Sequence, residues 1–330
     1  MSLNKTPKAD MHVHLEGTIT PEMVLTLSEK NKVEIPKGLI KNGNYSWDED
    51  GTAAGSLKGF VNAYDDATSV MKTAQDYVDI TYDYLMRSAA EGCIYCEIGI
   101  SADHGKMVGL NYLEMLAAIE SGYQKAKKET DIEMRLISTC VRHFGVDSTL
   151  RVAEITRDNP HHLVTAFGIA GDENAHSFVD FKAAFDISNM PHRTAHAGEA
   201  AGPESVRGAL EILNVSRFGH MVRAIEDEEL LERLRIHGAV PEVCVSSNLV
   251  LKVYPDYSSH PLRKLFDFGL NVTLGSDDPT FFNTSIGREY QIAQEEFGFS
   301  DDELLQITQN AIESAFIDAT TRELLLKKVR

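Results

Sequence analysis

The chain has 330 residues, 43% of them hydrophobic, and carries a formal net charge of -18 at pH 7. That apolar fraction is ample for a large core and argues against disorder, while the negative charge disfavours nucleic acid and anionic membrane surfaces and favours a neutral or weakly charged small molecule. No apolar run reaches the ~18 residues of a membrane span, and the N-terminus lacks a signal peptide's apolar core, so a soluble, cytoplasmic protein is expected.

In chain order, KADMHVH (8–14) reads as a first strand, and Thr20 and Pro21 supply an N-cap and a first helical residue for EMVLTLSEKNK (22–32). In TAQDYVDITYDYLMRSAAEG (73–92), Val78, Tyr82, Leu85 and Ala89 mark one helical face, and Gly92 closes the helix. CIYCEIGI (93–100) is the second strand, followed by the helical NYLEMLAAIESGYQKAKKET (111–130) and the strand MRLISTCV (134–141). Then come HLVTAFGIA (162–170), RTAHAG (193–198), the helical GPESVRGALEILNV (202–215), RFGHM (217–221), GAVPEVCV (238–245) and LNVTLGSDD (270–278). Eight strand-like runs alternating with helices predict a closed parallel (β/α)8 TIM barrel, with the whole chain, residues 1–330, as a single domain. A doubly wound open sheet is the alternative, weakened because no G-x-G-x-x-G follows the first strand.

Residues 32–72 break the alternation, although Leu57, Phe60, Val61 and Tyr64 fall at helical spacing. A helical insertion after strand 1 either covers the catalytic face as a lid or packs on the barrel's flank. The four cysteines, Cys93, Cys96, Cys140 and Cys244, all lie in apolar runs, as in a reducing compartment. Cys93 and Cys96 match C-x-x-C, but positions three apart on a strand face opposite sides, so a structural role is expected.

Polar residues gather where strands end: His12 and His14 on the first, His196 on the fifth, His220 on the sixth, Asp277 and Asp278 on the eighth. In a barrel these ends converge on the face that carries the active site. Histidines at i and i+2 point the same way, and neutral imidazoles so placed suit a divalent metal. His12, His14, His196 and Asp277 form a nitrogen and oxygen donor set appropriate to one Zn²⁺ per chain, leaving a position for an activated water. Glu199, three residues after His196, is positioned to pass a proton, and His220 to hold or polarise the attacking oxygen.

HVHLEG, HAGEAAGPESV, RFGHMVRA with IED, VCVSSN and LGSDDP occur in the order and spacing of the adenosine deaminase family, which the chain resembles over residues 8 to 320. The resemblance implies a zinc-dependent barrel of the metal-dependent hydrolase superfamily. It implies that His12, His14, His196 and Asp277 bind zinc, that Glu199 is the proton shuttle, and that His220 assists the attacking oxygen. Asp278 and the backbone N–H of Gly171, in GIAGDE, would hold the purine ring, and Glu16, with His14, would face the substrate, Glu16 on its ribose side. Three positions depart from the family pattern: Met221 replaces a glycine, Val245 a proline, and Gly168 an aspartate. Met221 either narrows the pocket or packs behind it.

The implied reaction is hydrolytic deamination of adenosine, and of 2′-deoxyadenosine, to inosine and ammonia. Deamination of adenine or of a modified adenosine is the alternative, and Glu16, where an aspartate is commoner, points that way. A catalytically idle nucleoside-binding relative would have lost a ligand. A two-metal phosphoesterase would carry a bridging lysine at a strand end, and none is present. The pairing of His14-x-Glu16 with Cys93-x-x-Cys96 imitates another zinc deaminase signature, but Gly92 rather than proline precedes Cys93. The expected partner is a small 6-aminopurine nucleoside or base, with no nucleic acid and no membrane. The sequence carries no signal for an oligomeric state.

Overall fold

A computed structural model describes residues 6–47 and 57–329. All eight strand-like runs form strands: β1 (Lys8–His14), β2 (Cys93–Ile100), β3 (Glu133–Val141), β4 (Val164–Ala170), β5 (Arg193–Ala197), β6 (Arg217–His220), β7 (Val240–Val243) and β8 (Thr273–Leu274). Each pairs in parallel with the next, in sequence order. The ring closes through a parallel bridge between Val13 and Asp277. There the Asp277 N–H donates to the His12 carbonyl at 2.7 Å, and the His14 N–H to the Asp277 carbonyl at 3.0 Å. Closure therefore joins the first and last polar strand ends directly. This is a TIM barrel, and the open-sheet alternative is excluded.

Helices surround the ring: α1 (Pro21–Asn31), α2 (Leu57–Thr68), α3 (Ala74–Ala90), α4 (Ala102–Met107), α5 (Tyr112–Glu129), α6 (Val146–Asp158), α7 (Phe178–Ser188), α8 (Pro203–Gly208), α9 (Glu228–His237), α10 (Val245–Val250), α11 (Leu262–Asp267), α12 (Ile286–Phe297), α13 (Asp301–Ser314) and α14 (Ala319–Val329). Thr20 caps α1 by accepting the Met23 N–H, and reciprocal capping boxes open α3 at Thr73 and α5 at Asn111. Each such cap is worth about 1 kcal/mol. The stretch 202–215 departs from a single α-helix: α8 passes into a π-helical turn over Ala209–Leu213. Among the described residues no helix is long and apolar enough to cross a membrane.

Because helices cover the strands from outside and side chains fill the ring from inside, β2 and β4 are buried almost throughout. The floor of the barrel is nevertheless charged. Arg217, fully buried at the start of β6, donates to Glu97 at 2.7 Å and to Glu242 at 2.7 Å. Its guanidinium lies 4.0 Å from the Phe316 ring centroid. Glu97 also accepts from the Tyr95 hydroxyl (2.6 Å) and the Phe316 N–H (2.7 Å).

The cysteines are free and buried. The thiols of Cys93 and Cys96 donate to different carbonyls, those of Tyr95 and Glu133, as the structural role requires. Burial pushes the Cys93 thiol up to about 12, which keeps it unreactive.

Candidate active site

The strand ends converge as the spacing predicts. One cavity is lined by His14, Glu16, Gly171, His196, Glu199, His220, Asp277 and Asp278, with His12 lying beneath it. His12 Nε2 is 3.0 Å from His196 Nε2, which is 3.2 Å from His14 Nε2; Asp277 Oδ1 is 3.5 Å from His14 Nε2 and 3.8 Å from His12 Nε2. Backbone geometry makes this crowding possible. A Cβ on Gly219 would lie 2.6 Å from His12 Cε1 and 3.2 Å from His196 Nδ1, so the neighbouring strand must be bare there.

The tautomers separate the four histidines by role. Glu242, whose carboxyl burial would raise but Arg217 and His12 hold low, accepts from His12 Nδ1 at 2.8 Å. That leaves the His12 Nε2 lone pair aimed at the cluster. His220 is the reverse case. The Leu262 backbone N–H can only donate, and it donates to His260 Nδ1 (3.2 Å). His260 Nε2–H then donates to Asn248 Oδ1 (3.1 Å), and Asn248 Nδ2 to His220 Nδ1 (3.2 Å). The proton of neutral His220 is thereby placed on Nε2, which stands 3.5 Å from Glu199 Oε2 and 3.8 Å from Asp277 Oδ2. Although His12, His196, His220 and Asp277 lie close enough to form one cation-sized group, a nitrogen that bears its proton is no ligand. His14 is the better fourth donor.

The donor set fits a small divalent cation. Donors about 2.0–2.1 Å from a tetrahedral ion are roughly 3.3 Å apart, close to the nitrogen separations found. Burial pushes His14 and His220 down to about 4 and His196 well below its usual range. For His12, the Glu242 bond and the carboxylates outweigh burial and raise it. Imidazoles this close cannot all be charged, and neutral nitrogens facing one point are what a cation needs.

Glu199 sits just beyond β5 on a loop held by Glu173, a residue whose role sequence reading missed. The Glu173 carboxylate accepts from the N–H groups of Gly198, Glu199 (3.0 Å) and Ala201 (2.8 Å) and from the Ser205 hydroxyl. Only its place in GIAGDE hinted at it. Burial, then the charges of Asp277 and Glu173, push the Glu199 carboxyl well above the usual range, and burial and Asp277 do the same for Asp278. Glu199 Oε1 and Asp278 Oδ1 are buried and have no hydrogen-bond partner among the described residues. Asp278 presses on Gly17 so closely that any Cβ there would overlap Oδ1. Glu16 is buried too, accepting a long 3.4 Å contact from the Ser101 N–H.

The insertion covers the mouth: Phe60, Val61, Tyr64 and Asp65 of α2 line the cavity. Phe281, stacked on Tyr45 at 3.9 Å, and Phe282 hold Phe60 from below. The flank reading is therefore excluded. The departures also resolve. Met221 is buried, with φ of +57°, and packs behind the cavity rather than into it. The Val245 N–H, which a proline would lack, donates to Glu289 at 3.0 Å. At Gly168 a Cβ would stand 2.9 Å from Ile137 Cγ2, so an aspartate does not fit without a shift.

Residues 7–330 match the family described as adenosine deaminase. An adenine deaminase of Sinorhizobium medicae is 45% identical over 324 residues, covering 97% of this chain and 97% of that relative. The crystal structure of an adenine deaminase from Arthrobacter aurescens superposes with a TM-score of 0.88 at 27% identity, over 98% of each chain. An amidohydrolase from Burkholderia ambifaria, solved with bound Zn, shares the fold (TM-score 0.86, 24% identity, 99% of this chain and 93% of that one).

Proposed function

The chain belongs to the adenosine deaminase family, and from that premise we propose that it hydrolytically deaminates adenine, as the free base, to hypoxanthine and ammonia. The sequence motifs point to adenosine, with adenine or a modified adenosine as the alternative. The curated relatives at 41–45% identity are named adenine deaminase, which favours the base.

The observation that carries the hydrolytic reading is the meeting of four metal-type donors with Glu199, whose buried Oε1 has no partner among the described residues, at one cavity. A zinc ion held by His12, His14, His196 and Asp277 would, when bound, lower the pKa of a water toward ~7 and so supply the nucleophile. The remaining work falls to the chain. Glu199 takes the proton released as the attacking water ionises and passes it to purine N1, so that attack at C6 builds no ring anion. His220, its Nε2 proton fixed through Asn248 and His260, orients the attacking oxygen. Asp278, in its protonated form, donates to N7, and the Gly171 N–H to N3. Glu199 then returns the second proton of the water to the C6 amino group. The C–N bond breaks, ammonia leaves, and a 6-oxopurine remains. Ammonia release and loss of the 6-aminopurine absorbance test the reading: kcat/KM for adenine should exceed that for adenosine by at least ~100-fold. Faster turnover of adenosine, or no ammonia from any 6-aminopurine, would overturn it.

A further inference from the structure

Around the barrel rim, the residues between the two ring-holding positions form a continuous wall. His143 follows β3 and sits so close to Gly171 that a Cβ there would lie 2.7 Å from its Nδ1. The His143 ring meets Phe144 (4.7 Å), and Phe144 meets His104 (5.4 Å). From the other side, Phe281 donates its N–H to the Asp278 carbonyl (3.0 Å), and its ring meets Tyr64 of α2 (5.6 Å). Tyr64 in turn meets His104 (5.5 Å). The two arms join at His104, and the junction is tied by a 3.1 Å contact from His104 Nε2 to Asp65 Oδ1. His104 is 6% exposed, whereas the Asp65 side chain stands on the rim at 42%. This contact links α2, from the insertion, to α4, from the loop after β2.

With C6 toward the histidine cluster, N1 at Glu199, N3 at Gly171 and N7 at Asp278, the atom facing this junction is N9. We propose that the Asp65–His104 pair excludes N9-substituted purines and so restricts the enzyme to the free base. The inference rests on the adenine reading and adds the specificity-determining contact to it. A nucleoside would place its sugar where the His104 ring and the α2 rim meet, so it binds only if that junction parts. The imidazole supplies the bulk, and the carboxylate holds it across the mouth.

The test measures kcat/KM for adenine and adenosine, and inhibition by hypoxanthine and inosine, in wild type, His104→Ala, Asp65→Ala and Asp65→Asn. His104→Ala and Asp65→Ala should each raise the adenosine-to-adenine ratio of kcat/KM by at least ~10-fold, the scale of removing atoms from a pocket wall. Inosine inhibition should strengthen in parallel. Asp65→Asn should keep the wild-type ratio, because its carbonyl still accepts from His104. Asp65 is half-exposed, so its variants report even if His104→Ala does not fold. An unchanged ratio in Asp65→Ala, with both substrates falling together, would assign the pair a structural role only and overturn the proposal. A wild-type preference for adenosine would strike the adenine reading itself, before any variant is made.

Discussion

At the floor of the barrel Arg217 lies between Glu97 and Glu242, and the carboxylates meet further donors from Tyr95, Phe316 and His12. At the mouth Glu199 and Asp278 are buried as well, yet one oxygen of each has no partner among the described residues. Burial acts on both places. At the floor the Arg217 guanidinium and three further donors answer it, and Glu242 is held low. At the mouth like charges add to it, and Glu199 and Asp278 are driven well up. A fold tolerates unanswered carboxyls when something else completes them. The contrast therefore separates a scaffold, whose charges are complete within the chain, from a site that awaits a ligand. Glu242 belongs to both: one oxygen takes Arg217 and the other takes His12.

The contrast can be broken or sharpened by removing one group at a time. The largest effect is expected at the floor, where Arg217→Met leaves two buried carboxylates unanswered and should cost about 3–5 kcal/mol in denaturant unfolding. A loss below 1 kcal/mol would mean the floor is not a scaffold. At the mouth, Glu199→Gln should lower kcat by at least ~100-fold while metal content, read by elemental analysis, stays at wild type. Its Tm should hold or rise, since a buried carboxyl with one unpartnered oxygen is removed; a marked drop in Tm would erase the distinction between the regions. Glu242→Gln, at their junction, should weaken metal retention against a chelator by about 10–100-fold, because the partner that orients His12 is lost.

The smallest effect is a pH slope. Burial, only partly countered by bonds from Ser246, Thr284 and Val245, raises Glu289 to about 7. Between the ordinary carboxyl range and pH 7 the folded chain keeps a proton that the unfolded chain has released. Stability attributable to this group therefore falls as pH rises across that window. Glu289→Gln should flatten the slope between pH 4.5 and 7, as followed by unfolding at several pH values. An unaltered slope would place the group's titration elsewhere.

Much of this molecule is legible along the chain. KADMHVH and LNVTLGSDD are short apolar runs that end in polar residues, and a strand's two-residue period with a barrel's common mouth suffices to bring His12, His14, His196, Asp277 and Glu199 together. The helix starts at Thr20, Thr73 and Asn111 are equally local, because a cap reaches only three residues ahead. By contrast, Arg217 alone gives no sign that it will meet Glu97, 120 residues away, nor His12 that its partner is Glu242, 230 residues away. In sequence each reads as an isolated charge.

What the sequence determined by itself was the set of strands, the donors at their ends and the kind of chemistry those donors support, since all depend on residue type and short spacing. The tertiary structure alone decided which histidine offers a lone pair and which a proton, how Glu173 holds the Glu199 loop, and how Asp65 meets His104 over the mouth. Those outcomes depend on ring closure and on hydrogen bonds whose polarity is inherited from backbone amides far away in the chain, and no local pattern encodes them.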